Sequence, residues 1–196
     1  MTYTDLHYGT VSRDEVQISE KEASARLGYP YDPQDADLRR CLDKVLSAAD
    51  FRYAWRPCPV SVSGDVCDLG MGQWNSHSLA RNLAGCESGI ILSVTAGAGI
   101  DRLWERERLV NVRDAFLCDA LASAAIEAVC DIAQALAVRE RAYRPRFSPG
   151  YGDLSLAVQP AVLDWLQASV TLGIHLDGSL FMHPMKSITA IIGVLP

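Results

Sequence analysis

NVRDAFLCDALASAAIEAVCDIAQALAVRER, residues 111–141, is the stretch on which the fold turns. Within it Leu117, Leu121, Ala125, Val129, Ile132 and Leu136 recur at steps of three and four, the spacing of one helix face. Alanines widen that stripe almost all the way round, and a helix that is apolar round its circumference has to be buried, so one long central helix is expected. Glu127 and Asp131, one turn apart, interrupt the apolar surface on the side away from the stripe.

Working outward, residues 89–95 are nearly continuously apolar and residues 51–60 are rich in aromatic and β-branched side chains, so both read as strands, the first fully buried. Residues 34–49 carry Leu38, Leu42, Val45 and Leu46 at helical spacing, and a shorter helix over 19–27 is stopped by Gly28 and Pro30. On the other side lie a proline-bounded loop over 145–156, a helix over 160–169 and a last strand over 187–194. Strands and helices in no βαβ rhythm give an α+β class, a mostly antiparallel sheet with packed helices rather than a doubly wound one. No repeat, low-complexity tract or Gly/Ser linker divides residues 1–196, which are expected to form a single domain.

Composition excludes more than it selects. A net charge of −6 argues against a nucleic-acid partner, which would need a basic face. Met1 to Tyr8 lack a basic start followed by an apolar run, and no apolar stretch approaches the roughly 20 residues that span a bilayer, so a cytoplasmic location without a membrane partner is expected. Cys41, Cys58, Cys67, Cys86, Cys118 and Cys130 are scattered without a C-x-x-C pair and read as buried free thiols.

Several familiar chemical signals fail. Gly97-Ala98-Gly99 lacks the third glycine of a dinucleotide fingerprint, no lysine-bearing phosphate loop or G-x-S-x-G elbow exists, and His7, His77, His175 and His183 are too dispersed to suggest a metal site. Asp5-Leu6-His7-Tyr8-Gly9 is near the D-x-H-x-x-G signature of corrinoid-binding domains, but the glycine comes one position early and no alternating βα pattern follows. A corrinoid, if one matters, comes from a partner.

The segment RFSPGYGD, residues 146–153, is the informative one. Its plainest reading is a proline-glycine turn with an arginine near a helix C-terminus, where cations are favoured. Its R-x-x-P-G-Y pattern is followed by Gly173-Ile174-His175-Leu176 and then by Ser179, Met182, Pro184 and Ser187. That linked set resembles the activation (reactivation) domain of cobalamin-dependent methionine synthase. Residues 124–131 resemble the acidic helix that precedes the family's arginine motif, and residues 95–101 resemble a segment of its stand-alone members. The likeness is clearest over residues 85–194; residues 147–154 and 184–187 are closer to the short, separately encoded activation proteins than to the fused domain.

The resemblance implies repair chemistry. Cobalamin oxidised to cobalt(II) regains its methyl group from S-adenosylmethionine with one added electron. The domain binds the methyl donor, while a cobalamin-bearing methionine synthase lacking its own activation domain supplies the cobalt and a flavodoxin-like or other reductase supplies the electron. Cobalt(I) is already a strong nucleophile and the leaving thioether is neutral, so such a site positions the sulfonium and needs little acid–base machinery. Under this reading no residue is catalytic in its own right. Arg146 is expected to hold the methionyl carboxylate through a two-pronged contact, backbone groups of Ser148 and Gly150 to meet the adenine edge, and Tyr151 to pack on adenine or ribose. Glu127 is the candidate for the cationic end, with Asp131 second, although both also read as carboxylates on a solvated helix face. Lys186, His183, Ser179 and Ser187 receive no binding role. The length leaves no room for homocysteine, folate and cobalamin modules, so reactivation in trans is expected, without the C-terminal tyrosines of fused domains. Reactivation of another corrinoid methyltransferase protein, or a non-catalytic interaction module that has lost its ligand, remain as alternatives.

Overall fold

A computed structural model describes residues 5–196; the first four residues of the Met1 to Tyr8 segment lie outside the described residues. Strand β1 (His7–Thr10) is followed by helices α1 (Glu20–Leu27) and α2 (Ala36–Ala48). Next come β2 (Arg52–Pro59), the short strands β3 (Ser61–Ser63), β4 (Val66–Asp68) and β5 (Gln73–Asn75), helix α3 (His77–Asn82) and β6 (Ser88–Thr95). The chain then runs through α4 (Ala98–Val110), α5 (Val112–Val138), α6 (Gln159–Trp165), α7 (Ala168–Thr171), β7 (His175–Leu176), β8 (Met182–His183) and β9 (Ser187–Val194).

The main sheet runs β1-β2-β6-β9, and every neighbouring pair is antiparallel. β6 pairs along its whole length on both sides, from Arg52↔Thr95 to Pro59↔Ser88 with β2 and from Thr95↔Ser187 to Ser88↔Val194 with β9. Its side chains alternate between two cores. Ile90, Leu92 and Val94, with Ala190, Ile192 and Val194 of β9, pack under α1, α2, α4 and α5. Ile91 and Ile191 point the other way, into a second core closed by α3, α6, α7 and the small β3-β4-β5 sheet. Covered faces on both sides explain why these strands read as continuous apolar runs. The α+β class and the central long helix hold.

Local signals set the helix boundaries. Asp35 caps α2 by accepting from the Asp37 and Leu38 amides, Ser19 caps α1, and Asn111 caps α5 by accepting from the Arg113 and Asp114 amides. Gly28 closes α1 in a left-handed conformation.

Four expectations need correction. The helix over 160–169 is two short helices, because Gln167 adopts a left-handed conformation (φ 50°) and its amide turns back to the Asp164 carbonyl. No glycine or proline marks that break. The long helix ends at Val138, and Leu136, the last member of the stripe, is exposed. The statement that no apolar stretch nears spanning length fails for α5, whose 27 residues are long and apolar enough by composition to cross a bilayer. Its apolarity is accounted for by packing, since Leu121, Ala125, Val129 and Ala133 are wholly buried. Finally, Gly97-Ala98-Gly99 opens α4, a helix the sequence reading did not find, and Gly99 lies against the end of α2.

All six cysteines are free and buried, three in each core. Burial pushes the Cys58, Cys118 and Cys130 thiols up to about 12.

Where α2, α4 and α5 meet, two buried carboxylates share three cations. Lys44 Nζ lies 2.9 Å from Glu107 and 3.0 Å from Asp114, Arg40 also binds Asp114, and Arg106 lies 3.0 Å from Glu107. Hydrogen bonds from Arg40 hold the Asp114 carboxyl well below its ordinary range, and those from Lys44 lower that of Glu107. Below the ordinary carboxylate range the unfolded chain therefore binds protons that the folded one does not. Stability contributed by these groups is complete above pH of about 5 and is lost as the pH falls through the unfolded and then the folded values. Urea midpoints measured from pH 7 down to 3 are expected to drop, and to drop less in Lys44→Met. An identical slope in the two proteins would remove this network as the cause.

Candidate functional site

The segment after α5 climbs the outer edge of β9. Tyr143 bridges to Val194, and Phe147 exchanges both backbone hydrogen bonds with Ile191, at 2.9 and 2.7 Å. A sheet edge that would otherwise present bare backbone is thus partly covered. This places Arg146 against the C-terminal half of α5. Its guanidinium donates to Asp131 at 2.6 Å, to Glu127 at 3.3 Å and to the Gln134 side-chain carbonyl at 3.3 Å. The α-helical repeat makes this possible, because Glu127 and Asp131 are one turn apart and Gln134 lies three residues beyond.

Glu127 and Asp131 differ in setting. Asp131 is largely solvated, with 69% of its side chain exposed, whereas Glu127 is at 29%. Burial pushes the Glu127 carboxyl above its ordinary range; Arg146 and Arg26 oppose that shift, while Glu22 and Asp131 add to it. Arg26 reaches Glu127 from α1 at 3.3 Å, a participant more than 100 residues away that no local motif announces. The solvated-face reading therefore fits Asp131 and fails for Glu127. A half-buried carboxylate that desolvation disfavours is one that an added cation would relieve.

Beyond Arg146 the chain folds into a tight loop. The Ser148 hydroxyl donates to the Thr189 carbonyl at 2.6 Å and pins the loop to β9. The Tyr151 amide donates to the Ser148 carbonyl, and the Gly150 amide donates to the Leu154 carbonyl. Gly150 has φ 87°, a conformation that suits glycine. The expectation for Ser148 and Gly150 is thereby narrowed: the Ser148 carbonyl and Gly150 amide serve the turn, leaving the Ser148 amide and Gly150 carbonyl outside these bonds. Asp153 anchors the far end, accepting from the Ser76 hydroxyl (2.6 Å) and from the His77 and Ser78 amides (2.8 and 3.1 Å) at the start of α3. Those bonds hold its carboxyl well below the usual range.

Tyr151, 57% exposed, stands between two clefts and meets Phe147 edge to face. One cleft, of about 210 Å³, lies between the loop and the β8–β9 region and is lined by Ser148, Pro149, Tyr151, Phe181, Met182 and Ser187. The other, of about 630 Å³, lies toward α3, with Arg81, Asn82 and Gly152. Lys186 sits at the start of β9, 2.8 Å from Asp119 and 2.9 Å from the Ser123 hydroxyl. Asp119, Ser123, Glu127 and Asp131 fall at steps of four along α5, so Lys186 and Arg146 address one helix face at successive heights.

The histidines stay apart from this cluster. His7 stacks on Trp55 at 3.8 Å, His77 pairs with Asp65, and His183 pairs with Asp177 on the hairpin where it faces His175. Among the described residues no group of three or more His, Cys, Asp or Glu side chains could hold a metal ion. A larger concavity, of about 1020 Å³, lies elsewhere, between α2 and α4, and the sequence reading missed it.

No family model matches the sequence, and no curated protein sequence matches it. Among solved structures the chain is similar to the crystal structure of the MetH reactivation domain bound to AdoHcy, with a TM-score of 0.74 and 12% sequence identity, covering 100% of this chain and 80% of that one. At that identity the likeness is one of fold.

Proposed function

We propose that the protein binds S-adenosylmethionine and presents its methyl group to the cobalamin of a methionine synthase that needs reductive reactivation. The observation that carries this reading is the Arg146 guanidinium held between Glu127 and Asp131 beside the Ser148–Tyr151 turn. That arrangement stands on a fold shared with a reactivation domain that binds AdoHcy.

The amino-acid end of S-adenosylmethionine carries a carboxylate and an ammonium, with the sulfonium close by. Entry of that end exchanges the two internal ion pairs of Arg146 for two external ones: the carboxylate takes the Arg146 fork and the cations take Glu127, with Asp131 released toward solvent. Charge is conserved in the exchange, and the half-buried Glu127 carboxylate gains a closer cation. The adenine edge needs one donor and one acceptor, which the Ser148 amide and Gly150 carbonyl supply, and the exposed Tyr151 ring offers a face for the base or ribose.

These residues bind and orient. Methyl transfer itself requires only that a nucleophilic cobalt(I) approach in line with the sulfonium, and the departing S-adenosylhomocysteine is neutral at sulfur. The partner brings the cobalamin, and a flavodoxin-like or other reductase brings the electron. Contact in trans is transient, because a separate chain lacks the high effective concentration of a tethered domain.

Calorimetry with S-adenosylmethionine and with S-adenosylhomocysteine tests the first half of this reading. Stoichiometric binding of both is expected; absence of binding would leave the non-catalytic interaction module as the better account, an outcome the internal pairing of Arg146 makes worth testing. The second half is tested by mixing the protein with oxidised methionine synthase lacking an activation domain, a reductant and methyl-labelled donor. Loss of the cobalt(II) spectrum with label on cobalt is expected. Intact donor binding without label transfer would move the assignment to another corrinoid methyltransferase protein.

A further inference from the structure

The largest concavity among those described has no part in that reading. It is a groove of about 1020 Å³ between α2 and α4, walled by Arg39, Arg40 and Lys44 on one side and by Arg102 and Arg106 on the other. In a chain of net charge −6, five cations around one groove are a local reversal of sign. Arg40, Lys44 and Arg106 are committed to the buried Asp114 and Glu107. Arg39 and Arg102 are exposed and enter none of these pairs. They form the two rims, while Leu103, Ala48 and Gly99 line the groove between them.

At the end of the groove where α4 passes into α5, the surface turns apolar. Leu109, Val110 and Val112 are 81%, 79% and 74% exposed, and Phe116 is 48% exposed on the next turn. Leu109 and Val110 follow Arg106 by three and four residues and so continue the face of α4 that lines the groove, and the Asp37–Arg113 pair, at 2.9 Å, ties the first turns of α2 and α5 together at this end. Isolated exposed apolar side chains need no explanation, but four beside a basic groove do.

We propose that this surface is a docking site for an acidic, amphipathic helical segment of a partner protein. Both walls are 13-residue helices, which makes the groove about 20 Å long, the length of a three- to four-turn helix. Acidic side chains of the incoming segment pair with Arg39 and Arg102, and its apolar side covers Leu109, Val110 and Val112. Other occupants suit the surface less well. In a symmetric pair of this chain the arginines would face arginines. A single phosphate group would leave most of the groove empty. A flat lipid surface would touch the tip and leave the groove unfilled. The groove adjoins Asp114, 13 residues along α5 from Glu127 and so about 20 Å away, so an occupant here leaves the Arg146 site open.

The test uses the full chain and a fluorescent 18-residue helical peptide with glutamates on one face and leucines on the other. Anisotropy at low ionic strength is expected to show binding that weakens about tenfold or more in Arg39→Glu/Arg102→Glu and in Leu109→Ser/Val110→Ser, with circular dichroism unchanged because these side chains are exposed. Equal binding by the parent and the charge-reversed protein would overturn the proposal, as would equal binding of a peptide with the same leucines and neutral glutamines. Three further results would also overturn it, each naming another occupant: binding of inorganic phosphate with no binding of the peptide, an Arg39- and Arg102-dependent dimer in sedimentation, or binding to phosphatidylserine vesicles in place of the peptide. S-adenosylmethionine binding in the double variants is expected to equal the parent's, which separates this site from the Arg146 site.

Discussion

Arg146→Ala is expected to weaken S-adenosylmethionine binding by about 2–3 kcal/mol, roughly 30- to 150-fold, because the ligand carboxylate loses a charge-assisted, two-pronged partner. The geometry adds a complication that can be used. Arg146 is also the counter-ion of Glu127, whose carboxyl burial already pushes up, so removing it costs the free protein something too. Arg26 remains on Glu127 and limits that cost. Two neighbouring substitutions separate the roles. Glu127→Gln is expected to weaken binding, since it removes the partner of the ligand's cations. Asp131→Asn is expected to bind at least as tightly as the parent, because the exposed Asp131 competes for the same guanidinium. Calorimetry on the three variants checks this. Parental affinity in Arg146→Ala would take Arg146 out of the site, and loss of affinity in Asp131→Asn would give Asp131 the role assigned to Glu127.

Gly99→Val is expected to lower the unfolding free energy by about 3 kcal/mol or more, which for a chain of this size is a fall of roughly 6–12 °C in thermal midpoint. A Cβ built at Gly99 would stand 1.9 Å from the Ala48 carbonyl oxygen, a backbone atom at the end of α2 that cannot swing aside as a side chain would. Relief requires α2 and α4 to separate, and that would pull Lys44 from Glu107. Gly178→Ala is the matched control: nothing lies within 4 Å of its added Cβ, so a change within about 0.5 kcal/mol is expected. If Gly99→Val melts with the parent, the close approach of the two helices is not required for the fold.

The sequence made the burial-driven parts of the fold legible. Residues 89–95 and 187–194 were readable as strands because both faces are covered, and α5 was readable because its alanine-rich circumference has no other place to go. Helix α4 escaped for the opposite reason. Its buried residues are only Ile100, Leu103 and Glu107, interleaved with the charged Asp101, Arg102, Glu105, Arg106 and Arg108, so the helical stripe is thin and one member is a carboxylate. Strands β3 to β5 have three residues each, too few for an alternation to register. At the candidate site, Arg146, Ser148, Gly150 and Tyr151 were visible as one local pattern, and Glu127 and Asp131 as a break in an apolar helix. Arg26, and the Thr189 carbonyl that pins Ser148, belong to the site only through tertiary contact. The α2–α4 groove was invisible for the same reason: Arg39 and Arg102 become neighbours only when two helices pack.

The division of the cysteines gives this protein a built-in reporter of its own unfolding. Cys41, Cys118 and Cys130 lie in the helical layer above the sheet, and Cys58, Cys67 and Cys86 lie in the layer below it. A buried thiol reacts with an alkylating reagent only when its layer opens, so the labelling rate of each cysteine measures the free energy of that opening. Mass spectrometry of partly labelled protein would then separate two cases that a single melting curve merges: one cooperative collapse of the whole molecule, or one layer loosening while the other still grips the sheet.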